Sequence, residues 1–267
     1  MSIDRREFIR IAGLTTLFGL GGKTAFELLA PGELEAKVAQ EAPKGTRWAM
    51  VVDMTKLDAD TAKKCVTACH RIHNVPDLNN PVNPKEKVDP EDKVRWEIKW
   101  IWADHFHNAV PGFEQPYQQK LDHLPFLLLC NHCENPPCVR VCPTKATFRR
   151  EDGIVMMDMH RCIGCRYCMA GCPFGARSFN WQDPRPFVKE VFPDYPTREK
   201  GVVEKCTFCV ERVEKGLMPA CVLESKGALL FGDLNSPKSN VRQVLQQSYS
   251  IRRKPHLGTN PQVYYIV

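Results

Sequence analysis

The sequence lacks the features on which several classes of protein depend. No segment reaches the roughly 20 consecutive apolar residues needed to cross a bilayer comfortably. There is no Lys/Arg tract and no basic patch interleaved with aromatic residues, and the net charge is only +6, which argues against nucleic-acid binding. A glycine-rich phosphate-binding loop and a nucleophile elbow are also missing. A substrate site of these common kinds is therefore not expected, and whether the chain is itself an enzyme stays open.

Cysteine, in contrast, is abundant. The 267 residues include 13 cysteines, most of them in tight clusters with spacings of two or three. An odd number of cysteines and this clustering argue against a simple disulfide framework. The pattern indicates thiolate ligands for metal.

The clearest cysteine motif is C-x2-C-x2-C-x3-C-P, the run found in bacterial ferredoxins. It consists of Cys162, Cys165, Cys168 and Cys172, with a proline directly after. Three thiolates two residues apart can surround one cluster within a tight loop that Gly164 permits. The fourth leaves the loop in another direction and, in two-cluster ferredoxins, ligates the other cluster. Zinc sites typically use two separated C-x2-C pairs instead, so the motif predicts iron–sulfur clusters.

A second motif has the same run with two extra residues before its third cysteine. It consists of Cys130, Cys133, Cys138 and Cys142. If the two motifs exchange their fourth ligands, they form two complete [4Fe-4S] sites. Set a is Cys130, Cys133, Cys138 and Cys172, and set b is Cys162, Cys165, Cys168 and Cys142. His132 lies between two ligands, and we expect it to be exposed or to sit beside the cluster.

A further motif is "KCTFCVERVEKGLMPAC", with Cys206, Cys209 and Cys221. With the others, it resembles the four-cluster ferredoxin-like electron-transfer subunits of membrane oxidoreductases, over roughly residues 45–235. That family has a fourth cysteine and a proline where this chain has Ser225 and Lys226. Its first motif, C-x2-C-x2-C-x3-C, falls here on Ala59, Ala62, Cys65 and Cys69.

The resemblance implies that motifs one and four also exchange ligands. Set c would then be Cys206, Cys209, Cys221 and Cys69. The fourth set would be Ala59, Ala62, Cys65 and Ser225, which offers one cysteine. We therefore expect three [4Fe-4S] clusters and one vacated site at an end of the array. A Cys65–Cys69 disulfide and a three-iron cluster on the motif-four cysteines are the alternatives.

The block "CNHCENPPCVRVCPTKATFRREDGIVMMDMHRCIGCRYCMAGCPFGARSFNW" resembles most the exported ferredoxin-like subunit (the O subunit) of the Dsr (MKJOP) complexes of sulfate reducers. The resemblance implies a quinone-linked NrfD-like integral membrane subunit, a multihaem cytochrome c and other subunits of a Dsr-type complex as partners. The chain would relay electrons between the NrfD-like membrane subunit and the multihaem cytochrome c. The alternatives are the electron-transfer subunit of a molybdopterin-dependent reductase of the polysulfide, tetrathionate or nitrite type, and a structural zinc-binding assembly factor.

The N-terminus resembles a twin-arginine export signal. Arg5 and Arg6 are followed by Phe8 and an apolar run that ends at Leu20. No clear A-x-A cleavage site follows, so an uncleaved signal that lies on the membrane is one expectation. The signal predicts a protein on the periplasmic, extracytoplasmic face of the cytoplasmic membrane.

The expected fold class is α+β, with two intertwined ferredoxin-like lobes, insertions and an extended C-terminal tail. Residues 1–30 are assigned to the signal, 31–46 to a linker, 47–115 with 200–267 to lobe 1, and 116–199 to lobe 2. Strands are expected over 47–54, over the segment "KVRWEIKWIWADHF" (93–106) with its apolar alternation from Val94 to Trp100, and in a hairpin on both sides of the turn "EDG". Residues 76–92 are expected to form a surface insertion.

Overall fold

The computed structural model describes residues 45–83, 85–110 and 125–267. The predicted signal and most of the predicted linker lie outside the described residues, as does the predicted boundary between the lobes near residue 116. None of the described helices is long and apolar enough to cross a membrane.

The described residues form a mixed α+β structure, as expected. The strands are β1 (Trp48–Asp53), β2 (Ile101–Asp104), β3 (Phe126–Leu129), β4 (Thr147–Arg149), β5 (Val155–Met157), β6 (Ser178–Phe179), β7 (Val203–Glu204), β8 (Leu229–Asp233), β9 (Ser250–Ile251) and β10 (Val263–Ile266). The helices are α1 (Ala59–Ile72), α2 (Pro90–Trp96), α3 (Phe106–Ala109), α4 (Pro137–Arg140), α5 (Tyr167–Ala170), α6 (Val210–Val213), α7 (Ala220–Glu224) and α8 (Asn240–Gln247), with 3-10 turns at Arg185–Phe187 and Pro255–Leu257.

The largest sheet has the order β8-β1-β10-β9. Strand β1 is central, antiparallel to β8 and parallel to β10. Its sequence WAMVVD is buried from Ala49 onward, which suits a strand covered on both faces. Because β10 pairs with β1, the C-terminal tail packs against the protein itself as part of this sheet.

Helix α1 carries the first cysteine motif. Asp58 caps its N-terminus by accepting a hydrogen bond from the Thr61 amide at 2.6 Å. Its buried face includes Ala62, Cys65 and Cys69, which recur every three or four residues. This face packs against α7, which contains Cys221. The first and last cysteine motifs are thereby brought together.

Three two-stranded sheets pair β2 with β3, β4 with β5, and β6 with β7. The β4–β5 hairpin has the predicted "EDG" turn, where Gly153 adopts a φ of +86°. The hairpin prediction is therefore confirmed. The strand predicted over residues 93–106 is confirmed in part, because β2 (Ile101–Asp104) lies within it. Its first residues are instead helical: Pro90 begins a helix that continues to Trp96, with acidic residues in its first turn and basic residues in its last.

Candidate iron–sulfur cluster sites

All 13 cysteines lie in the described residues, and all are free thiols. The structure therefore contains no Cys65–Cys69 disulfide. The cysteines are instead grouped with partners from distant parts of the chain, as the following geometry shows.

The two central motifs exchange their fourth cysteines in space. One cavity is lined by Cys130, Cys133 and Cys138 together with Cys172. A second cavity is lined by Cys162, Cys165 and Cys168 together with Cys142. These are the predicted sets a and b. In set b only Cys168 is buried, so this set is the more solvent-accessible of the two.

Set c is also assembled from two distant motifs. Burial raises the pKa of the Cys69 thiol well above its ordinary value, and the nearby charges of Cys209, Cys206 and Cys221 raise it further. All four cysteines are buried. Four thiols packed together in a low-dielectric interior cannot all ionise without a compensating cation, which bound metal supplies.

The fourth set is closed by ordinary protein packing. Ala62, Cys65 and Ser225 are buried, whereas Ala59 is exposed. The Ser225 hydroxyl donates to the Val222 carbonyl at 2.7 Å and accepts from the Leu229 amide at 3.1 Å. The Ser225 side chain, which stands where the family pattern has a fourth cysteine ligand, is thus engaged in hydrogen bonds with the backbone.

Contacts between the sets define their order. The Cys65 thiol lies 3.2 Å from the Cys221 carbonyl oxygen, which joins the fourth set to set c. The ring of His132, in the loop of set a, stacks on the ring of Phe208, in the loop of set c, which joins set c to set a. Helices α4 and α5, which carry Cys138 of set a and Cys168 of set b, pack together. The order is therefore fourth set, c, a, b, with the set that has a single cysteine at one end.

The residue directly before the second cysteine of motifs two, three and four has left-handed backbone. The φ angles are +40° at His132, +69° at Gly164 and +56° at Phe208. A Cβ at Gly164 would lie 2.5 Å from the Gly201 carbonyl oxygen, so this position requires glycine. The left-handed backbone at Gly164 agrees with the prediction that this glycine permits a tight loop around the cluster.

The rings of His132 and Phe208 stack on each other, with centroids 3.6 Å apart. His132 is fully buried, and its Nδ1 accepts a hydrogen bond from the Val155 amide at 3.0 Å. The expectation that it is exposed is wrong, and it lies beside set a. Aromatic side chains from the loops of sets a and c are therefore in direct contact.

His73 is a site residue that the sequence did not single out. Its Nδ1 lies 2.8 Å from the Cys69 carbonyl oxygen and 3.6 Å from the Cys69 sulfur. Its Nε2 lies 3.0 Å from a Glu211 carboxylate oxygen, and its ring stacks on Trp100. His73 and Glu211, with Cys209, offer ligand atoms within 4.8 Å of one another. The signal in the sequence was weak: a histidine four residues after a helical cysteine.

Two buried cations lie among the cysteines. Lys205 is fully buried, and its ammonium group donates to the carbonyl oxygens of Val155 and Cys206. Arg177 is buried beside set a, and its Nη2 has no hydrogen-bond partner among the described residues. Buried positive charge of this kind requires a negative partner. Thiolate-bound iron–sulfur clusters are anionic, so the surroundings of the cysteines fit them.

Comparison with known proteins agrees with this geometry. Residues 121–186 match the family model of the 4Fe-4S dicluster domain. The chain is 39% identical to the Hdr-like menaquinol oxidoreductase iron–sulfur subunit 1 of Archaeoglobus fulgidus, over 98% of this chain and 97% of the relative. It is 34% identical to the menaquinone reductase iron–sulfur cluster-binding subunit of Nitratidesulfovibrio vulgaris, over 82% and 88%.

A third relative matches a smaller part. It is one of the subunits of the tetrathionate reductase of Salmonella typhimurium, which is 45% identical over 52% of this chain and 50% of its own length. Because the first two matches span nearly whole chains, this chain belongs to the family of [4Fe-4S] electron-transfer subunits. It is an iron–sulfur electron-transfer protein.

Proposed function

We propose that the chain holds three [4Fe-4S] clusters, at sets a, b and c, within a membrane-bound respiratory complex. The observation that carries the proposal is the grouping of 12 of the 13 cysteines into three sets of four, in the contact order c, a, b. Clusters bound at these sets would act as one-electron carriers. The chain itself supplies the thiolates, the buried cations Arg177 and Lys205, and an interior that excludes water.

The proposed partners are a quinone-linked NrfD-like membrane subunit and a multihaem cytochrome c, as in the Dsr-type complexes that the sequence resembles. The names of the menaquinol oxidoreductase and menaquinone reductase relatives support a quinone-linked complex. Export by the twin-arginine route, placement on the extracytoplasmic face of the membrane and a role in sulfate respiration are parts of the same proposal.

The proposed architecture is two intertwined ferredoxin-like lobes. The sheet β8-β1-β10-β9, with helices α1 and α7, accompanies motifs one and four. The β4–β5 hairpin and helices α4 and α5 accompany motifs two and three. This division supports lobe 1 over 47–115 with 200–267 and lobe 2 over 116–199.

An alternative function is the electron-transfer subunit of a molybdopterin-dependent reductase. The match to the tetrathionate reductase of Salmonella typhimurium favours it. The two functions differ in their partners: the alternative requires a large catalytic subunit that holds molybdopterin, and the first proposal requires a multihaem cytochrome.

The test is purification of the chain with its partners from native membranes under anaerobic conditions. Subunits are identified by mass spectrometry, and iron, sulfide, haem and molybdenum are measured. The proposal expects a complex that contains haem c and a polytopic membrane subunit but no molybdenum. Addition of menaquinol should reduce the iron–sulfur clusters, as seen in the absorption spectrum. Molybdenum in the complex would favour the alternative. A colourless preparation that contains zinc would contradict both and support a structural zinc protein.

A further inference from the structure

Arg177 occupies a buried position between two of the cysteine sets. Its side chain follows the last cysteine of motif three by five residues and is only 5% exposed. The β4–β5 hairpin holds it: Nη1 donates to the Thr147 hydroxyl at 3.1 Å and lies 3.8 Å from the Met157 sulfur. Nη2 is buried and has no partner among the described residues. One edge of the guanidinium is therefore fixed and the other is available.

Arg177 lies among residues of both sets. It lines the cavity of set a together with Cys130 and Cys138. Its two hydrogen-bond neighbours belong to the surroundings of set b: the Thr147 amide lies 3.5 Å from the Cys142 sulfur, and Met157 lines the set b cavity. The guanidinium thus lies between the cavity of set a and residues that contact or line set b.

No carboxylate in the described ranges forms an ion pair with Arg177. Arg198 offers a contrast within the same chain, because it is equally buried but pairs with Glu204 at 2.7 Å. The charge of Arg198 is neutralised by an acid, whereas the neighbours of Arg177 that can become negative are cysteines. An unneutralised cation in a low-dielectric interior acts on nearby charge far more strongly than one in water does.

We propose that Arg177 is a positioning residue that sets the reduction potentials of the two clusters at sets a and b together. The proposal rests on the proposed function, since it requires clusters at both sets. A cluster gains negative charge on reduction, and nearby cations and hydrogen bonds to sulfur stabilise that state. Arg177 therefore raises both potentials and keeps reduction at adjacent sites favourable under the same conditions.

The experiment compares variants of the full chain, purified anaerobically with its clusters. Arg177→Gln and Arg177→Met remove the charge, and Arg177→Lys retains it on a group that lacks the planar fork. Arg166→Gln is the matched control: Arg166 lines the cavity of set b but is exposed, so water screens its charge. Iron content, midpoint potentials from redox titrations followed by electron paramagnetic resonance, and thermal unfolding are recorded.

We expect a neutral variant that keeps its iron to show both midpoint potentials shifted in the negative direction. The expected size is at least a tenfold change in the equilibrium constant of one-electron reduction, which corresponds to about 59 mV. In Arg177→Lys the midpoint potentials should return at least halfway to the wild-type values. In Arg166→Gln the midpoint potentials should shift by less than half of the change seen in the neutral Arg177 variants.

Several results would overturn the proposal. Unchanged midpoint potentials in a neutral Arg177 variant that keeps its iron would do so, as would a shift confined to one cluster. An equal shift in Arg166→Gln would show that the effect is not specific to the buried charge. Loss of iron from all three Arg177 variants would indicate that Arg177 has a purely structural role. Failure of the proposed function is distinguishable, because it would appear in the wild-type protein as missing cluster signals at set a or set b.

Discussion

The thiol of Cys65 donates a hydrogen bond to the carbonyl oxygen of Cys221 at 3.2 Å. Cys65 is the one cysteine of the fourth set, and Cys221 belongs to set c. The contact shows that the fourth set is closed against its neighbour by packing and hydrogen bonding, with Ser225 held in the same way. Cys65 and Ser225, the two side chains of this set that carry a thiol or hydroxyl, therefore both donate hydrogen bonds to backbone carbonyl oxygens.

Substitution of Ser225 tests this view of the fourth set. Ser225→Ala removes the hydroxyl that bonds to Val222 and Leu229, and leaves a buried amide without its partner. We expect a loss of about 1–3 kcal/mol in the free energy of unfolding with no change in iron content. Chemical denaturation and iron analysis check the two parts. Loss of iron from this variant would mean that Ser225 takes part in cluster binding.

The protonation of Cys65 gives a prediction about reactivity. Burial, with the charge of Glu224, raises the pKa of its thiol to about 11. The thiolate is the reactive form, so Cys65 should stay unalkylated by iodoacetamide at pH 8 and react only as the pH approaches 11 or the chain unfolds. Peptide mass spectrometry of the native, cluster-loaded protein measures this. Rapid modification of Cys65 at pH 8 would show that its surroundings are open.

The same shift makes the stability of the iron-free chain depend on pH. The folded thiol of Cys65 keeps its proton up to about pH 11, whereas an unperturbed thiol loses it near pH 9.0. The contribution of the protonated Cys65 thiol to the free energy of unfolding is therefore present below pH 9 and is lost as the pH rises toward 11. Cys65→Ala should weaken this alkaline loss of stability, and denaturation midpoints of the iron-free chain at pH 8 and pH 10.5 measure the difference.

Gly164 provides a prediction about set b. Gly164→Ala places a Cβ 2.5 Å from the Gly201 carbonyl oxygen and adds the cost of left-handed backbone. Gly175→Ala is the control, since Gly175 has a similar φ of +64° but open space around its Cα. We expect about 1–2 kcal/mol of destabilisation in the control, and a larger loss with depletion of the set b cluster in Gly164→Ala. Equal effects would show that the clash with Gly201 relaxes freely.

His73 should act on set c alone. His73→Phe keeps the stacking on Trp100 but removes the nitrogen atoms that face Cys69 and Glu211. Hydrogen bonds near the sulfur tune cluster potentials, so the signal of the set c cluster should shift while those of sets a and b stay unchanged. Redox titration resolves the three signals. A variant with all three signals unchanged would make His73 a packing residue only.

Sets a and b were predicted from the ferredoxin spacing of motifs two and three, whereas set c was predicted from the resemblance to the four-cluster electron-transfer subunits. The β4–β5 hairpin and strand β1 were predictable from short apolar segments and a turn. In the segment 93–106 strand β2 was predictable, but the helical start was not, because the apolar alternation from Val94 competes with the helix start at Pro90 and the acidic residues after it. The positions of Arg177, His73 and β10 depend on pairings between distant parts of the chain, which local patterns do not encode.

The central claim is that set c takes Cys69 as its fourth ligand and that Cys65 binds no iron. The most direct measurement is the iron content of Cys69→Ala and Cys65→Ala beside the wild-type chain, with electron paramagnetic resonance of each. We predict about twelve iron atoms per chain in the wild type and in Cys65→Ala, four for each of three clusters. Cys69→Ala should lose about one to four of these as the set c cluster becomes a three-iron cluster or is lost. Unchanged iron and spectra in Cys69→Ala, or a loss of iron in Cys65→Ala, would contradict the assignment.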